Sequence, residues 1–131
     1  MVNGLYLRGN VYVRMNNGVL YIPKAARTFF QPDEDYTAVN EEVDGYRYLV
    51  VNHAPKDKKG ELEKIISGGN VLGLRLPNNS LRHLGFADTG VLAGGIKEMV
   101  EVWKARDYEE YREQHKGDLP RLFSELAKLG V

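Results

Sequence analysis

Two stretches of the chain place basic and amide side chains around a glycine turn, a short apolar run and a proline. The first is Asn16-Asn17-Gly18 with the run that ends at Pro23, and the second is Gly69-Asn70 with the run that ends at Pro77. Arginine and lysine neutralise phosphates, and asparagine can pair with adenine through two hydrogen bonds. These residue types favour contact with DNA. The candidate DNA-binding residues are Arg8, Arg14, Asn16, Asn17, Lys24, Arg27, Asn70, Arg75 and Arg82.

The charges of the chain are balanced but unevenly distributed. There are 18 basic and 18 acidic residues, whereas nucleic-acid-binding domains are usually basic. Residues 1–31 and 65–87 contain arginine or lysine and no acid, while residues 32–44 contain acids and no base. This segregation can create a positive face on a neutral protein. The alternative is that each arginine is an ordinary solvated or ion-paired surface residue.

Residue types that carry catalysis or bind metals do not occur in suitable arrangements. The chain has no cysteine, and His53, His83 and His115 lack the spacing of metal ligands. The glycines between Gly90 and Gly95 have no lysine of a phosphate loop beside them. We therefore expect no enzymatic activity, no catalytic residue, no metal and no cofactor.

The compartment is predicted from what the sequence lacks. The absence of cysteine favours an intracellular protein. The alternation from Met1 to Tyr6 is unlike a secretion leader, and the apolar runs are too short to cross a bilayer. We expect a cytoplasmic, nucleoid-associated protein with no membrane contact.

The first half of the chain reads mainly as strands. Leu5 to Met15 alternates apolar and polar residues, so that Arg8 and Arg14 share the polar face. Asn16-Asn17-Gly18 predicts a turn, because these residues tolerate positive φ. A strand over Val19 to Ile22 follows, then about two helical turns from Lys24 to Phe30. Tyr6, Tyr12 and Tyr21 either stack on unpaired bases or simply cover the sheet.

The middle of the chain repeats this arrangement. Strands are predicted over Tyr36 to Val39 and Tyr46 to Val51, joined at Asp44-Gly45. Leu62 to Ser67 fits a helix or a strand, and a strand is favoured because a hairpin there would repeat the first half. The run to Pro77 precedes one helical turn that closes at Leu84-Gly85-Phe86. Val91 to Ala93 and Met99 to Trp103 form the next pair, with Gly94-Gly95 at their turn.

The end of the chain is predicted to be helical. Asp107 can cap a helix that runs to about His115, and Asp118 can cap a last helix with Pro120 in its first turn. The apolar residues of that last helix fall on one stripe: Leu119, Leu122, Phe123, Leu126 and Leu129. The stripe either packs on the chain itself or contacts a subunit or another protein.

These elements divide the chain into two similar units. Residues 1–53 form a first hairpin repeat, 54–61 a linker, 62–116 a second repeat with a helix, and 117–131 a C-terminal amphipathic helix. The fold class expected is mainly β, of the α+β kind.

The chain resembles the SpoVT/AbrB swapped-hairpin superfamily. Gly69-Asn70 and the Arg75-Leu76-Pro77 end of its strand are similar to the opening of MazE-type antitoxins. The first unit, with Ile22-Pro23-Lys24 and Arg27, is closer to AbrB and MraZ. The tail from Val100 to Tyr111 resembles the strand-to-helix stretch of the second MraZ repeat, so the chain most resembles a divergent MraZ.

The resemblance implies a double-split β-barrel in which two hairpins interleave. It also implies a transcriptional regulator that contacts duplex DNA through its hairpins and helix starts, and that assembles as a dimer or ring. The acidic-x-basic-Gly-Arg turn of MraZ reads Met15-Asn16-Asn17-Gly18-Val19 here. The alternative interpretation is therefore an antitoxin-like scaffold that binds a protein, through residues 33–44 or the last helix, and has lost DNA recognition.

Overall fold

The computed structural model describes residues 10–31, 33–55, 60–67, 71–96 and 99–115. These residues form eight strands and two α-helices, with a short 3-10 turn at Lys24–Ala26. In chain order the elements are β1 (Asn10–Asn16), β2 (Val19–Ile22), β3 (Tyr36–Val43), β4 (Tyr46–His53), β5 (Glu63–Ser67), β6 (Val71–Arg75), α1 (Asn78–Leu84), β7 (Thr89–Ile96), β8 (Met99–Lys104) and α2 (Ala105–Gln114). The fold is mainly β, as the sequence predicts.

All eight strands belong to one antiparallel sheet with the order β3-β4-β8-β7-β1-β2-β6-β5. The sheet is curled, so that the segment before one edge strand, β5, contacts the other edge strand, β3. The backbone N–H groups of Glu61 and Leu62 donate to the Tyr36 carbonyl at 2.8 and 3.3 Å, and the Ala38 N–H donates to the Glu61 carboxylate at 3.2 Å. These bonds bring the two edges of the half-barrel together at one end.

The inner side of the curl holds the main hydrophobic core. Val13 and Met15 of β1 point inward, and Arg14 between them is exposed, which is the alternation predicted for this strand. The largest fully buried side chains in this core are Tyr36, Phe29, Phe30, Leu20, Leu49, Leu72, Leu74, Leu84, Leu92 and Val51. Leu5, Leu7, Tyr6 and Arg8 lie outside the described residues, as does the predicted last helix.

The predicted helix from Lys24 to Phe30 is wrong beyond its first turn. Arg27 N–H bonds back to the Lys24 carbonyl at 3.0 Å, the short spacing of a 3-10 turn. Phe29 and Phe30 are both fully buried, with their rings edge to face at a centroid distance of 4.8 Å. Both rings enter the core from the turn that follows Ala26, whose carbonyl accepts the N–H groups of Phe29 and Phe30 at 3.2 and 3.0 Å.

The turn predicted at Gly94-Gly95 is also wrong. Strand β7 continues through both glycines to Ile96, and its pairing with β8 shifts register between Ala93 and Ile96. A glycine pair suits a bulge as well as a turn. The bulge therefore lies in the strand, and the chain reverses after Ile96.

The two α-helices differ slightly from the predicted ones. Helix α1 spans seven residues, about two turns rather than one, and ends at Gly85, whose φ of 87° only glycine adopts readily. Helix α2 begins before Asp107, with Lys104 at its N-cap. Asp107 lies in the first turn, and its carboxylate is 3.5 Å from the Lys104 ammonium. The predicted strand at Leu62 to Ser67 is confirmed as β5.

Candidate nucleic-acid interface

Two of the predicted basic residues lie on the outer face of the strands β1, β2 and β6. Across β1, β2 and β6, Arg14 is paired with Tyr21, which is paired with Gly73. Two residues further along these strands, Asn16 is paired with Val19, which is paired with Arg75. Residues paired across neighbouring strands point to the same side of a sheet. Strand spacing and residue rise put the Cα atoms of Arg14 and Arg75 about 12 Å apart. The register thus brings one arginine from each predicted repeat onto a single face.

Both arginines are exposed but have neighbours on this face. The Arg14 guanidinium lies 4.8 Å from the centroid of the Tyr21 ring, which holds it against the sheet. The Arg75 Nε is 3.8 Å from the carboxylate of Glu63, with 48% and 69% of the two side chains exposed. An exposed pair of this kind is weak, so Arg75 can exchange Glu63 for another anion.

The turn of Asn16, Asn17 and Gly18 is held in place by the segment from the end of β6 into α1. Asn17 and Gly18 have φ values of 51° and 79°, as a two-residue hairpin turn requires. The Gly18 carbonyl accepts the Leu76 N–H at 2.9 Å. A methyl group at Gly18 would lie 2.7 Å from a Leu81 methyl carbon, so only glycine lets α1 pack this closely. Asn16 and Asn17 are exposed beside α1.

The remaining described basic candidates lie at opposite ends of the β2–β6 pair. Lys24 and Arg27 follow β2, whereas Arg82 follows β6, and the two strands run antiparallel. The Arg27 Nε–H donates to the Ile22 carbonyl at 3.4 Å, and the Arg82 Nε–H donates to the Asn78 carbonyl at 3.5 Å. Arg75 and Arg82 therefore lie at one end of the β2–β6 pair and Lys24 and Arg27 lie beyond the other, with Arg14 on the neighbouring strand β1. Arg8 and Asn70 lie outside the described residues.

Phe86 is the functional candidate that the sequence reasoning missed. Its side chain is 100% exposed, directly after the helix-ending Gly85. The sequence treats Leu84-Gly85-Phe86 as a helix end, and an apolar residue after a glycine cap usually packs back on its helix. A concavity of about 440 Å³ separates this ring from the Asn16–Gly18 turn.

A second aromatic cluster lies on the outer face under α2. Tyr48 stacks on Trp103 at a centroid distance of 4.7 Å, and Tyr108 meets Trp103 edge to face at 5.6 Å. The Trp103 indole N–H donates to the Glu101 carboxylate at 2.9 Å. Burial raises the pKa of the Glu101 carboxyl and of the Tyr108 phenol, and it raises the pKa of Tyr48 to about 12. The cluster packs α2 against the sheet, and the Arg112 guanidinium lies 5.7 Å from the centroid of the Tyr108 ring.

The acidic β3–β4 hairpin is held from two sides by histidines. His83 of α1 contacts the Glu41 carbonyl at 2.6 Å through Nε2, and His115 after α2 contacts the Asp44 carboxylate at 2.8 Å through Nε2. Glu41 and Glu42 are exposed on the edge strand. The acids predicted to be segregated do not all lie here. Asp35 precedes β3, and its carboxylate is 3.3 Å from the ammonium of Lys64 on the other edge strand, β5.

The described residues contain neither a cluster of metal ligands nor a membrane-spanning helix. Among the described side chains, no three His, Asp or Glu residues lie together as metal ligands would. Of the helices in the described ranges, neither has the length and apolar character needed to cross a bilayer. Comparison of the chain with protein-family models, with curated proteins and with solved structures found no match.

Proposed function

We propose that this chain binds duplex DNA in transcriptional control, as an oligomeric protein of the AbrB and MraZ kind. The observation that carries the proposal is the common outward face of Arg14 and Arg75. Phosphate contacts by arginine supply much of the affinity of DNA-binding proteins. Asn16 and Asn17 lie at the exposed turn beside this face and carry amides suited to base edges.

The order of the strands supports a pair of interleaved tandem repeats. We assign β1, β2, β3 and β4 to the first repeat and β5, β6, β7 and β8 to the second. Exchanging each strand for its counterpart leaves every neighbouring pair of the sheet intact, apart from β7–β1. The counterpart of that pair is β3–β5, and those strands meet through the bonds between Tyr36 and residues 61–62.

The register supports the same interpretation. Pro77 lies 54 residues after Pro23 in the sequence. Leu74 also lies 54 residues after Leu20, and these two leucines are paired across β2 and β6. Val102 is paired with Leu49 and lies 53 residues after Leu49 in the chain. The first residues of β3 and β7, Tyr36 and Thr89, are separated by the same 53 residues. In an internally duplicated fold, the two repeats are related by a two-fold axis, and a residue beside that axis pairs with its own counterpart in the other repeat. The pairs Leu20–Leu74 and Leu49–Val102 fit this expectation.

The proposed interface extends along the β2–β6 pair. Arg14 and Arg75 contact phosphates on the outer face. Arg82 lies beyond the end of the pair that carries Arg75, and Lys24 and Arg27 lie beyond the other end. Arg8 and Asn70 are included in the proposed interface on the basis of the sequence. A dimer or ring multiplies these contacts, and the expected location is the cytoplasm, on the nucleoid.

The proposal is tested by measuring duplex binding across a series of salt concentrations. Six phosphate contacts per chain, from Arg8, Arg14, Lys24, Arg27, Arg75 and Arg82, predict a log–log slope of about −5. Changing Arg14 and Arg75 together to Gln should reduce the magnitude of the slope by about 2. A slope near zero for the unaltered protein would remove the DNA proposal.

The matched control is Arg47→Gln. Arg47 pairs with Glu42 across the β3–β4 hairpin as Arg75 pairs with Glu63 across β5–β6, and both arginines are exposed. The control removes one positive charge from the acidic hairpin, and its slope should equal that of the unaltered protein. A loss of about 1 in the control, half of the loss in the double variant, would mean that net charge, rather than the proposed face, governs binding.

A second candidate function is protein binding by the same scaffold. It is favoured by the exposed acids Glu41 and Glu42 on β3, because an edge strand is where another protein can add a strand to a sheet. The last predicted helix is the other candidate contact. If removing residues 117–131 dissociates the oligomer while the barrel stays folded, that segment is an assembly element.

A further inference from the structure

Phe86 is the most exposed large apolar residue of the described ranges. It is 100% exposed, whereas Tyr12 and Val39 are 57% and 48% exposed. Single exposed apolar residues are common on protein surfaces, so exposure alone carries no conclusion. The surface around the ring decides what can cover it.

The ring stands where three concavities meet. One of about 440 Å³ lies toward the Asn16–Gly18 turn, and one of about 530 Å³ lies toward Arg82 of α1. The third and largest, of about 890 Å³, lies between residues 86–89 and the start of α2. Apolar side chains contribute to these concavities beside the ring: Met15, Leu81, Ala87 and Ala105. Phe86 is therefore the centre of one surface that joins α1 to the start of α2.

The charged groups around the largest concavity are engaged with one another. Its walls carry two basic and four acidic residues: Lys104, Arg106, Asp88, Asp107, Glu109 and Glu110. The Lys104 ammonium is 3.5 Å from the Asp107 carboxylate, and the Arg106 Nε is 3.9 Å from the Glu110 carboxylate. The Glu109 carboxylate accepts the Tyr12 hydroxyl at 3.4 Å. This excess of acids disfavours a phosphate backbone, whereas a polar rim around an apolar centre is typical of a contact between polypeptide segments.

The segment 117–131 carries an apolar surface that needs such a contact. The helix predicted there has one apolar stripe: Leu119, Leu122, Phe123, Leu126 and Leu129. A helix of this length is marginal in water by itself, so its stability has to come from packing the stripe. The exposed ring of Phe86 and the stripe can therefore cover each other.

The length of this segment matches the distance that it has to cover. Helix α2 begins at the largest concavity and ends near His115, whose Nε2 is 2.8 Å from the Asp44 carboxylate. Its ten residues span about 15 Å, so the chain leaves α2 about that far from the concavity. Gly117 favours a reversal there, and the predicted helix also rises about 15 Å from Leu119 to Leu129. Its far end therefore reaches back to the start of α2.

The segment at the other end of the chain is less well placed. Residues 1–9 join β1 at Asn10, whereas Phe86 shares a concavity with Asn16 at the opposite end of that strand. A strand of seven residues spans about 20 Å. The alternation of apolar and polar residues before Asn10 also suits a strand rather than a helix that fills a groove.

We propose that residues 117–131 fold back antiparallel to α2 and cover Phe86 of the same chain. The last part of the stripe, at Leu126 and Leu129, contacts the ring, and Leu119 lies nearer the end of α2. This inference assigns the last helix to its own chain rather than to another subunit or protein. It goes beyond the proposed DNA binding and does not depend on it.

The test uses the absence of cysteine from the sequence, because an engineered pair then reports proximity directly. Phe86→Cys is combined with Leu126→Cys or with Leu129→Cys in the full-length protein, and each pair is oxidised. A disulfide forms only when the two Cα atoms approach within about 7 Å. At one of the two stripe positions we expect loss of both free thiols in a product that runs as a single chain on a denaturing, non-reducing gel.

The matched control is Phe86→Cys with Ser124→Cys. Ser124 lies between the stripe positions in sequence but on the opposite side of the predicted helix. This pair should oxidise about tenfold more slowly than the faster stripe pair. Equal rates would mean that the segment moves freely past Phe86, which would overturn the proposal.

Thermal unfolding gives a second readout without cysteine. Phe86→Ala should lower the melting temperature of the full-length protein by about 5 °C, because a covered ring loses its packing. Leu126→Ala should also lower it, and the double variant should lose less than the two single losses together, because both changes remove one contact. An unchanged melting temperature in Phe86→Ala would show that the ring is exposed in solution.

The remaining outcomes also decide the matter. Disulfides found only in products of two chains would place the helix on a second copy and overturn the assignment to the same chain. No disulfide at either stripe position would overturn the contact itself. Each of these results leaves the salt dependence of duplex binding to be judged separately, so failure here and failure of the proposed function are distinguishable.

Discussion

Replacing Tyr36 with phenylalanine removes one buried hydroxyl that joins β3 to the segment after the 3-10 turn. The hydroxyl donates to the Phe29 carbonyl at 2.9 Å and accepts the Gln31 N–H at 2.6 Å. Tyr36 is fully buried, and its ring packs on those of Phe29, Phe30 and His53. The change keeps these ring contacts and leaves two backbone groups without their partner. At neutral pH we expect a loss of about 1–3 kcal/mol of unfolding free energy.

The same hydroxyl gives the variant a distinctive pH dependence. Burial raises the pKa of Tyr36 from 10.0 to about 12, since the phenolate is poorly solvated there. The folded state therefore retains the proton above the pH at which the unfolded chain releases it. The stability linked to this group is complete below about pH 10 and is lost as the pH rises through about 12, at about 1.4 kcal/mol per pH unit.

The assay is urea unfolding followed by tryptophan fluorescence, because Trp103 is the single tryptophan and is buried. The unaltered protein should be the more stable at pH 7, and its advantage over Tyr36→Phe should shrink by about 2–3 kcal/mol between about pH 10 and about pH 12. Tyr48, whose pKa is also about 12, is present in both proteins and cancels in the difference. A constant difference across this range would refute the assigned burial of the Tyr36 hydroxyl.

Two further stability predictions follow from single contacts. In urea unfolding, Gly18→Ala should lower the free energy of unfolding by about 1–2 kcal/mol more than Gly45→Ala does. Both glycines have positive φ, but only the new methyl group at Gly18 would meet Leu81. Equal losses would contradict the close packing of α1 on the turn. Glu101→Gln should reduce the fall of stability with pH above 4.5, the ordinary pKa of this carboxyl, and should not lower stability at pH 7. Burial raises the pKa of Glu101, so the stability linked to it is lost as the pH rises. A variant that is less stable only at pH 7 would show that the carboxylate form is the one favoured by the Trp103 hydrogen bond.

Local features of the fold were predictable from the sequence because neighbouring residues determine them. Asn17-Gly18 and Asp44-Gly45 both form tight turns with positive φ, as their residue types require. The alternation around Val13 and Arg14 is likewise present in β1. Each of these signals needs only a few consecutive residues.

Features that depend on distant contacts were not predictable. Gly94-Gly95 suits either a turn or a bulge, and the pairing of β7 with β8 decides between them. After Lys24 the ring partners are distant in sequence: Phe29 packs on His53 of β4, and Phe30 packs on Tyr36 of β3. In the candidate interface, the sequence suggested the arginines, but the exposure of Phe86 depends on how α1 packs against the Asn turn.

The central claim is that the outer face of β1, β2 and β6, with α1 at its end, is the DNA-binding surface. The most direct test is a titration of the isotope-labelled protein with a short duplex, observed through backbone amide and arginine Nε–H signals in proton–nitrogen spectra. The account predicts shifts at Arg14, Arg75 and the Asn16–Gly18 turn, with none at Arg47 on the acidic hairpin. Shifts confined to the β3–β4 hairpin, or no shifts at all, would contradict it.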